Sequence, residues 1–427
     1  MSARSAWLIL TLAWLAPGVA VTMDAPAPLT LREALRLGLA RNPELETMRR
    51  QLEVAAGKLR TALTRPYNPE LDAGVTTDKG LSDEGQKELE LGISQQLETG
   101  GKRRHRVGTA RLELEQARLG AEDRARVLSG EIALAFYRTY FLQRRLSLNE
   151  EAVGIARSVE RIAKGRAELG DLPSVEVSLA EVSREKRAAE AVGLEADLAS
   201  ARVTLESLLG LPETTASSVT ADWSPAAQAP PEQELLDAAT RSRPDLRQRE
   251  LAVRVAEEQL ALQKAGRHPD VKAGLFYSRG TDVIDAQASL PPLTDRDELV
   301  TLRLNVGLPI VNRNQGEILA AKASVGVARS QLESLRLEVR RQVRDARERG
   351  LRAAQRCRLY SERVVPVSAR NVEVAERAYR TGLADTLQIL KAQDDLIDVR
   401  QRLLEALWDH EQARIALDTA TGHPPAP

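Results

Sequence analysis

Two stretches of strict alternation and several of helical period divide this chain. Leu71, Ala73 and Val75 alternate with Asp72, Gly74 and Thr76, and Leu89, Leu91 and Ile93 alternate with Glu88, Glu90 and Gly92. Both predict strands with one apolar face. The polar stretch Asp78 to Gln86 predicts the loop between them. Before these strands, Thr30 is placed to cap a short helix to about Arg41, and Pro43 opens a second helix to about Leu63, which Pro66 and Pro69 stop. After them, Lys102 to about Leu169 holds no proline and little else that ends a helix. About 67 residues at 1.5 Å each make a rod of roughly 100 Å.

A turn at Gly170-Asp171-Leu172-Pro173 leads to a returning helix up to about Leu209. Val175, Leu179, Val182, Ala189, Val192, Ala196 and Val203 make a near-heptad stripe along it, and Leu194, Leu198, Leu205 and Leu208 make another. Two stripes predict a helix with a neighbour on each side, as in a ring of helices.

The same order of elements then recurs. Asn42-Pro43-Glu44-Leu45 answers to Arg243-Pro244-Asp245-Leu246, and Gly170-Asp171-Leu172-Pro173 answers to Gly382-Leu383-Ala384-Asp385. Strands reappear at Val271, Ala273, Leu275 and Tyr277, and at Val300, Leu302, Leu304, Val306 and Leu308, opposed by Thr301, Arg303 and Asn305. The chain therefore reads as a signal segment (1–20), a first repeat (21–209), a linker rich in Pro, Ser, Thr and Ala (210–231), a second repeat (232–421) and a short tail (422–427). The offset between copies grows by roughly a dozen residues across the strands, which assigns the excess to the second strand-to-strand loop.

Arg4, the apolar run Ala6 to Ala16, and Gly18 and Ala20 have the form of a secretory signal, and the run is too short for a spanning helix. An exported chain is soluble in the periplasm, secreted, or built into an outer membrane as a β-barrel, and the alternating strands fit the barrel, with lipid on the apolar face and a wet lumen on the face of Arg303 and Asn305. Tyr67, Phe276 and Tyr277 supply a thin aromatic girdle. Aromatics are only 3% of the chain, which suits helices packed side by side better than a large globular core. The zero formal charge argues against nucleic acid. Cys357, the single cysteine, reads as a small buried residue. His105, His268, His410 and His423 lack metal-site spacing, and Asp409-His410-Glu411 reads as a polar helix face. No phosphate loop or nucleophile cluster points to an enzyme or to a cofactor.

Two strand-to-helix junctions carry a family resemblance: Gln96-Leu97-Glu98-Thr99-Gly100-Gly101-Lys102-Arg103 and Leu308-Pro309-Ile310-Val311-Asn312-Arg313-Asn314-Gln315-Gly316. With the duplication, they make the chain resemble the TolC-like outer-membrane efflux proteins, nearest to the heavy-metal (Czc/Cus-type) branch. The resemblance implies a mainly α fold with a small β part. Four strands per chain would build a trimeric 12-stranded barrel over a long periplasmic α-helical barrel. It also implies a passive exit duct that works with a periplasmic adaptor (membrane fusion protein) and an inner-membrane pump of the resistance-nodulation-division type. Heavy-metal cations are the implied cargo. A duct for drugs or other organic compounds is the alternative, and a structural coiled-coil protein of the envelope is the reading from another class.

In that family the periplasmic entrance closes at the hairpin turns. The resemblance carries the gate and adaptor contacts onto Gly170, Glu176, Tyr379, Gly382, Asp385, Gln388 and Lys391. Gly170 and Gly382 suit a reversal that needs positive φ, and Tyr379 and Glu176 match latch positions. Gln388 and Lys391 stand where the best-known pattern has acidic residues, with Asp385, Asp394 and Asp395 nearby.

Overall fold

The computed structural model describes residues 28–78, 80, 85–211, 218–221, 223, 230–284 and 293–424. The expected signal segment and most of the linker lie outside the described residues. The first repeat comprises α1 (Leu31–Arg41), α2 (Pro43–Leu63), β1 (Glu70–Thr77), β2 (Gly85–Leu97), α3 (Lys102–Glu168) and α4 (Ser174–Leu209). The second comprises α5 (Glu232–Ser242), α6 (Pro244–Ala265), β3 (Val271–Ile284), β4 (Leu293–Val306), α7 (Gln315–Leu359), α8 (Val365–Arg380) and α9 (Thr386–Thr421). Each run is two short helices, two strands and a long helical hairpin.

Local chemistry sets the boundaries. Thr30 and Glu33 form a reciprocal capping box at α1, and the Asn42 side chain accepts from Glu44 N at 2.9 Å ahead of Pro43 in α2. The 67 residues of α3 run unbroken. Its counterpart is interrupted: Tyr360–Val364 widens into a π-helical turn between α7 and α8. Pro366, in the first turn of α8, donates no hydrogen bond and its ring would clash with the carbonyl one turn back, so the helix opens there instead of breaking.

The strands form one antiparallel sheet in the order β1-β2-β3-β4. The registers place Leu71, Ile93, Leu275 and Leu302 in one cross-strand row and Ala73, Leu91, Tyr277 and Val300 in the next. Both rows are on the same face, and Leu71 (81% exposed) and Leu302 (69%) show how open it is. From Leu97 to Leu89 this belt runs about 27 Å along the strands, or about 20 Å of height at a barrel tilt, close to the apolar band of an outer-membrane barrel. The other face carries Asp72, Glu90 and Ser94, and the Ser94 hydroxyl donates to Asp72 at 2.9 Å.

Phe276 departs from the expected girdle. It lies on the polar face, 5% exposed, in the space left by Gly92 and Gly274. The Arg303 guanidinium covers the ring at 4.0 Å and reaches Glu90 at 3.3 Å. A ring laid against the wall and capped by a cation is shielded from water there. Tyr277, by contrast, points outward as expected.

The excess residues of the second repeat are also placed differently. β3 has 14 residues against 8 in β1, and the turn 307–314 is longer than 98–101. The excess therefore extends a hairpin and a turn, and only slightly a loop. Alternation gave no sign of this, because Thr281 pairs with Arg296 and Asp282 with Asp295, where both faces are polar and only ladder hydrogen bonds sustain the strands.

Three apolar clusters hold the helices. The largest joins Leu31, Leu45, Phe136, Phe141, Leu198, Leu205 and Trp408. Val219, within the linker, packs into it, and a short parallel bridge ties Leu29 to Val219. A second joins α5 and α6 to Val339, Val343 and Ala420, and the third lies at the hairpin tips. Of the two stripes on α4, Leu194, Leu198 and Leu205 are buried, whereas Val175, Val182, Val192 and Val203 are exposed. Cys357 is buried as expected.

Asp409-His410-Glu411 is not a solvated face. His410 and Glu411 are buried, and Glu411 accepts from Arg414 at 2.9 Å. α3 and α7 flank α9 on two sides here, leaving little of its circumference to water. Burial lowers the His410 pKa, so the ring is neutral at pH 7.

Leu302 sits in the central row of the apolar belt. Leu302→Arg should therefore cost about 2–4 kcal/mol of assembly stability in lipid, read as urea sensitivity of the folded band in vesicles. Thr301→Arg, on the polar face, should leave that band near wild type.

Candidate functional site

The hairpin tips converge four helices on one point. Gly170 and Gly382 have φ of 82° and 75°, the left-handed region that favours glycine. Both tips close with the same pair of hydrogen bonds: Asp171 N to Arg166 O and Gly170 N to Ala167 O, then Leu383 N to Ala378 O and Gly382 N to Tyr379 O. This is the Schellman arrangement, which satisfies the last carbonyls of the outgoing helix. Asp385 then caps α9, its carboxylate accepting from Gln388 N at 2.8 Å.

Val159 and Ala163 of α3, Ala180 of α4, Tyr379 of α8, and Ile389 and Leu390 of α9 pack together beneath the turns. Thr386 is at their centre, fully buried. Its hydroxyl lies 3.3 Å from the Tyr379 hydroxyl, and its N–H donates to Glu176 Oε2 at 3.2 Å. Within one chain, Glu176 and Tyr379 therefore meet at Thr386 and not at each other. The Arg166 guanidinium lies 5.2 Å from the centre of the buried Tyr379 ring. Gln388 and Lys391 are exposed on α9, on the same side as Asp395.

A web of ion pairs braces the hairpins just behind the tip. Glu160 accepts from Lys164 and from Arg184, both at 2.7 Å, and Lys164 also reaches Glu181 at 2.9 Å. Arg187 of α4 crosses to Asp394 of α9 at 2.6 Å, joining the two repeats. The Lys164 hydrogen bond, aided by Arg184, holds the Glu160 carboxyl below the usual range, and Glu160 in turn raises Lys164.

The sequence marked both glycines, Glu176, Tyr379 and Asp385 as gate or adaptor-contact candidates; the structure puts the glycines in the turns and Asp385 at the N-cap of α9, a position the sequence reading did not assign to it. Sequence reasoning missed Thr386, Arg166 and the Glu160 web. Thr386 had a legible signal, a β-branched hydroxyl directly after a capping Asp, but only the packing of four helices makes it a shared partner.

Among the described residues, no helix is long and apolar enough to cross a membrane, and no group of three His, Cys, Asp or Glu could hold a metal ion. An apolar β-belt joined to long helical hairpins defines a channel class in which the strands meet lipid and the helices form a tube. The Outer membrane efflux protein family matches residues 34–211 and 235–423, one segment per repeat, and the chain belongs to that family.

The chain is 26% identical to the cobalt-zinc-cadmium resistance protein CzcC of Cupriavidus metallidurans over 415 residues, covering 93% of this chain and 91% of that one. It is 24% identical to the pyoverdine export outer membrane protein OpmQ of Pseudomonas putida, over 87% of this chain and 82% of that one. The fold matches CusC with a TM-score of 0.76 (18% identity, 92% of each chain) and VceC of Vibrio cholerae with 0.73 (19% identity, 93% and 97%). The protein is an outer-membrane efflux channel with a periplasmic helical barrel, and not an enzyme.

The lowered Glu160 pKa gives a signed expectation. A carboxylate depressed in the folded state stabilises fully above its unfolded value, about 4.3, and that contribution is lost as pH falls through the folded pKa. Lys164, raised, keeps its contribution through neutral pH and loses it only in alkali. Hydrogen exchange at 160–187 and 386–398 should therefore be flat from pH 7 to 5, after correction for intrinsic rates, and quicken below about pH 4. Glu160→Gln should abolish that acid limb.

Proposed function

We propose that three copies of the chain close a 12-stranded barrel over a tube of twelve helical strands, and that this duct carries heavy-metal cations outward. An inner-membrane pump of the resistance-nodulation-division type would supply the energy, through a periplasmic adaptor. The observation that carries the reading is the four-stranded sheet itself, apolar on one face and acidic on the other. The polar face bears Glu70, Asp72, Glu88, Glu90, Asp282, Asp295 and Asp297 against Lys272 and Arg303. Acidic walls in a narrow lumen raise the local concentration of cations, and the likeness to CzcC supports the same cargo. The likeness to OpmQ favours the second reading, organic cargo in the same duct.

Deletion of the gene tests the cargo. Cells should become sensitive to cobalt, zinc or cadmium and recover with the wild-type gene. Sensitivity confined to organic compounds would replace the first reading with the second. In planar bilayers the open channel should favour potassium over chloride, and joint replacement of Asp282, Asp295 and Asp297 by Asn should weaken that preference.

Glu176 and Tyr379 act in this proposal as a latch on the resting entrance, through Thr386. Gly170 and Gly382 set the turns, while Asp385, Gln388 and Lys391 present the adjoining surface to the adaptor. Glu176 and Thr386 belong to different repeats, so their hydrogen bond ties one hairpin to the other. Glu176→Ala with Tyr379→Phe removes a bond to a charged acceptor, worth about 1.5–3 kcal/mol per chain. Conductance of the resting channel should rise, and cells should admit large antibiotics such as vancomycin. Unchanged conductance with normal assembly would leave Tyr379 as a packing residue.

A further inference from the structure

The sheet carries charge of opposite sign on its two faces near the loop end. On the lipid-facing side, Thr77, Lys87, Thr281 and Arg296 form one cross-strand row. The next row toward the belt is Val75, Leu89, Arg279 and Glu298. Beyond it the face is apolar through Val300 and Leu302. At the same heights the inner face has Glu88 beside Gly280 and Asp297, with Asp282 opposite Asp295. The acids therefore dominate the water side, whereas the lipid side carries three cations against Glu298.

Lys87, Arg279 and Arg296 occupy the last turns of the ladder before the loops, at the end of the sheet away from the helices. With the helical body in the periplasm, that end is the outer leaflet. A cation on the lipid face is costly at mid-bilayer and nearly free at the interface, which accounts for where the row stands but not for its sign. Anionic headgroups account for the sign. Neighbouring strands are about 4.8 Å apart, so the three cations and the Thr281 hydroxyl share a strip about 10–15 Å wide, while the Thr77 hydroxyl donates to Gly80 O at 2.6 Å. Arg279 also contacts Glu298 at 3.8 Å, with both side chains more than half exposed, so most of its donors remain open. Guanidinium forks bind phosphate oxygens in pairs, and a hydroxyl adds a further donor.

We propose that Lys87, Arg279 and Arg296, with Thr281, form a binding row for the phosphate groups of the phosphorylated glycolipid of the outer leaflet. The row anchors the barrel at a fixed height and orders the lipid around it. This rests on the apolar face meeting lipid, and Leu302→Arg tests that premise separately.

The test uses the full-length assembled channel in detergent and native mass spectrometry, with lipid A bearing two phosphates, its dephosphorylated form, and inorganic phosphate as probes. Wild type should retain bisphosphorylated lipid A over the dephosphorylated form. Each basic residue replaced by Gln should weaken that binding roughly fivefold, and the triple variant on the order of a hundredfold, with assembly and conductance kept. Glu298→Gln, which frees Arg279, should strengthen it. If the triple variant fails to assemble, Arg296→Gln alone carries the measurement. Equal retention of both lipid forms by wild type, or unchanged binding in the Gln variants, would overturn the proposal. Displacement of lipid A by millimolar inorganic phosphate would also overturn it, showing an anion site indifferent to the membrane.

Discussion

An unpaired strand edge in hydrocarbon is the constraint on which the rest of this structure depends. The sheet begins at β1 and ends at β4, and each of these has one side with no partner among the described residues. Each unsatisfied backbone group in lipid costs several kcal/mol, so the chain requires further copies before it can span a membrane. The exposed stripe of α4 makes the same demand in water. Val175, Val182, Val192 and Val203 are a second unfinished seam, running down the helical body. In the proposed trimer, strand edge and helix stripe would be satisfied together by rotating copies about one axis, which makes barrel and tube consequences of a single closure.

Duplication then sets the geometry of the proposed gate. Two hairpins of nearly equal length end at Gly170 and Gly382, which brings both turns to the same level. Contacts between the repeats, Glu176 to Thr386 at the tips and Arg187 to Asp394 farther back, tie the hairpins to each other. The interruption at Tyr360–Val364 has no counterpart in α3, so the two hairpins are not mechanically equivalent.

Most of the fold was legible because its signals are local. Capping by Thr30, the opening at Pro43, the stops at Pro66 and Pro69, period-two alternation and the glycine turns each act within a few residues. What escaped was set by partners distant in sequence. Phe276 reads as a girdle aromatic until Gly92, a strand away, is seen to leave room for it on the inner face. The polar ends of β3 and β4 carry no alternation, since ladder pairing sustains them without an apolar face. His410 and Glu411 look solvated until α3 and α7 close around them. At the tips the pattern yielded the residues but not their partner, for Thr386 is a meeting point only once four helices are assembled.

Intersubunit strand pairing is the central claim, and cysteine cross-linking reads it directly. In a Cys357→Ala background, single cysteines along 71–75 of β1 combined with single cysteines along 299–303 of β4 would be oxidised in outer membranes. Pairing of β1 with β4 of the next copy predicts that one register gives covalent dimers and trimers, with nothing larger. Monomer alone at every register, or a ladder extending past three, would contradict it.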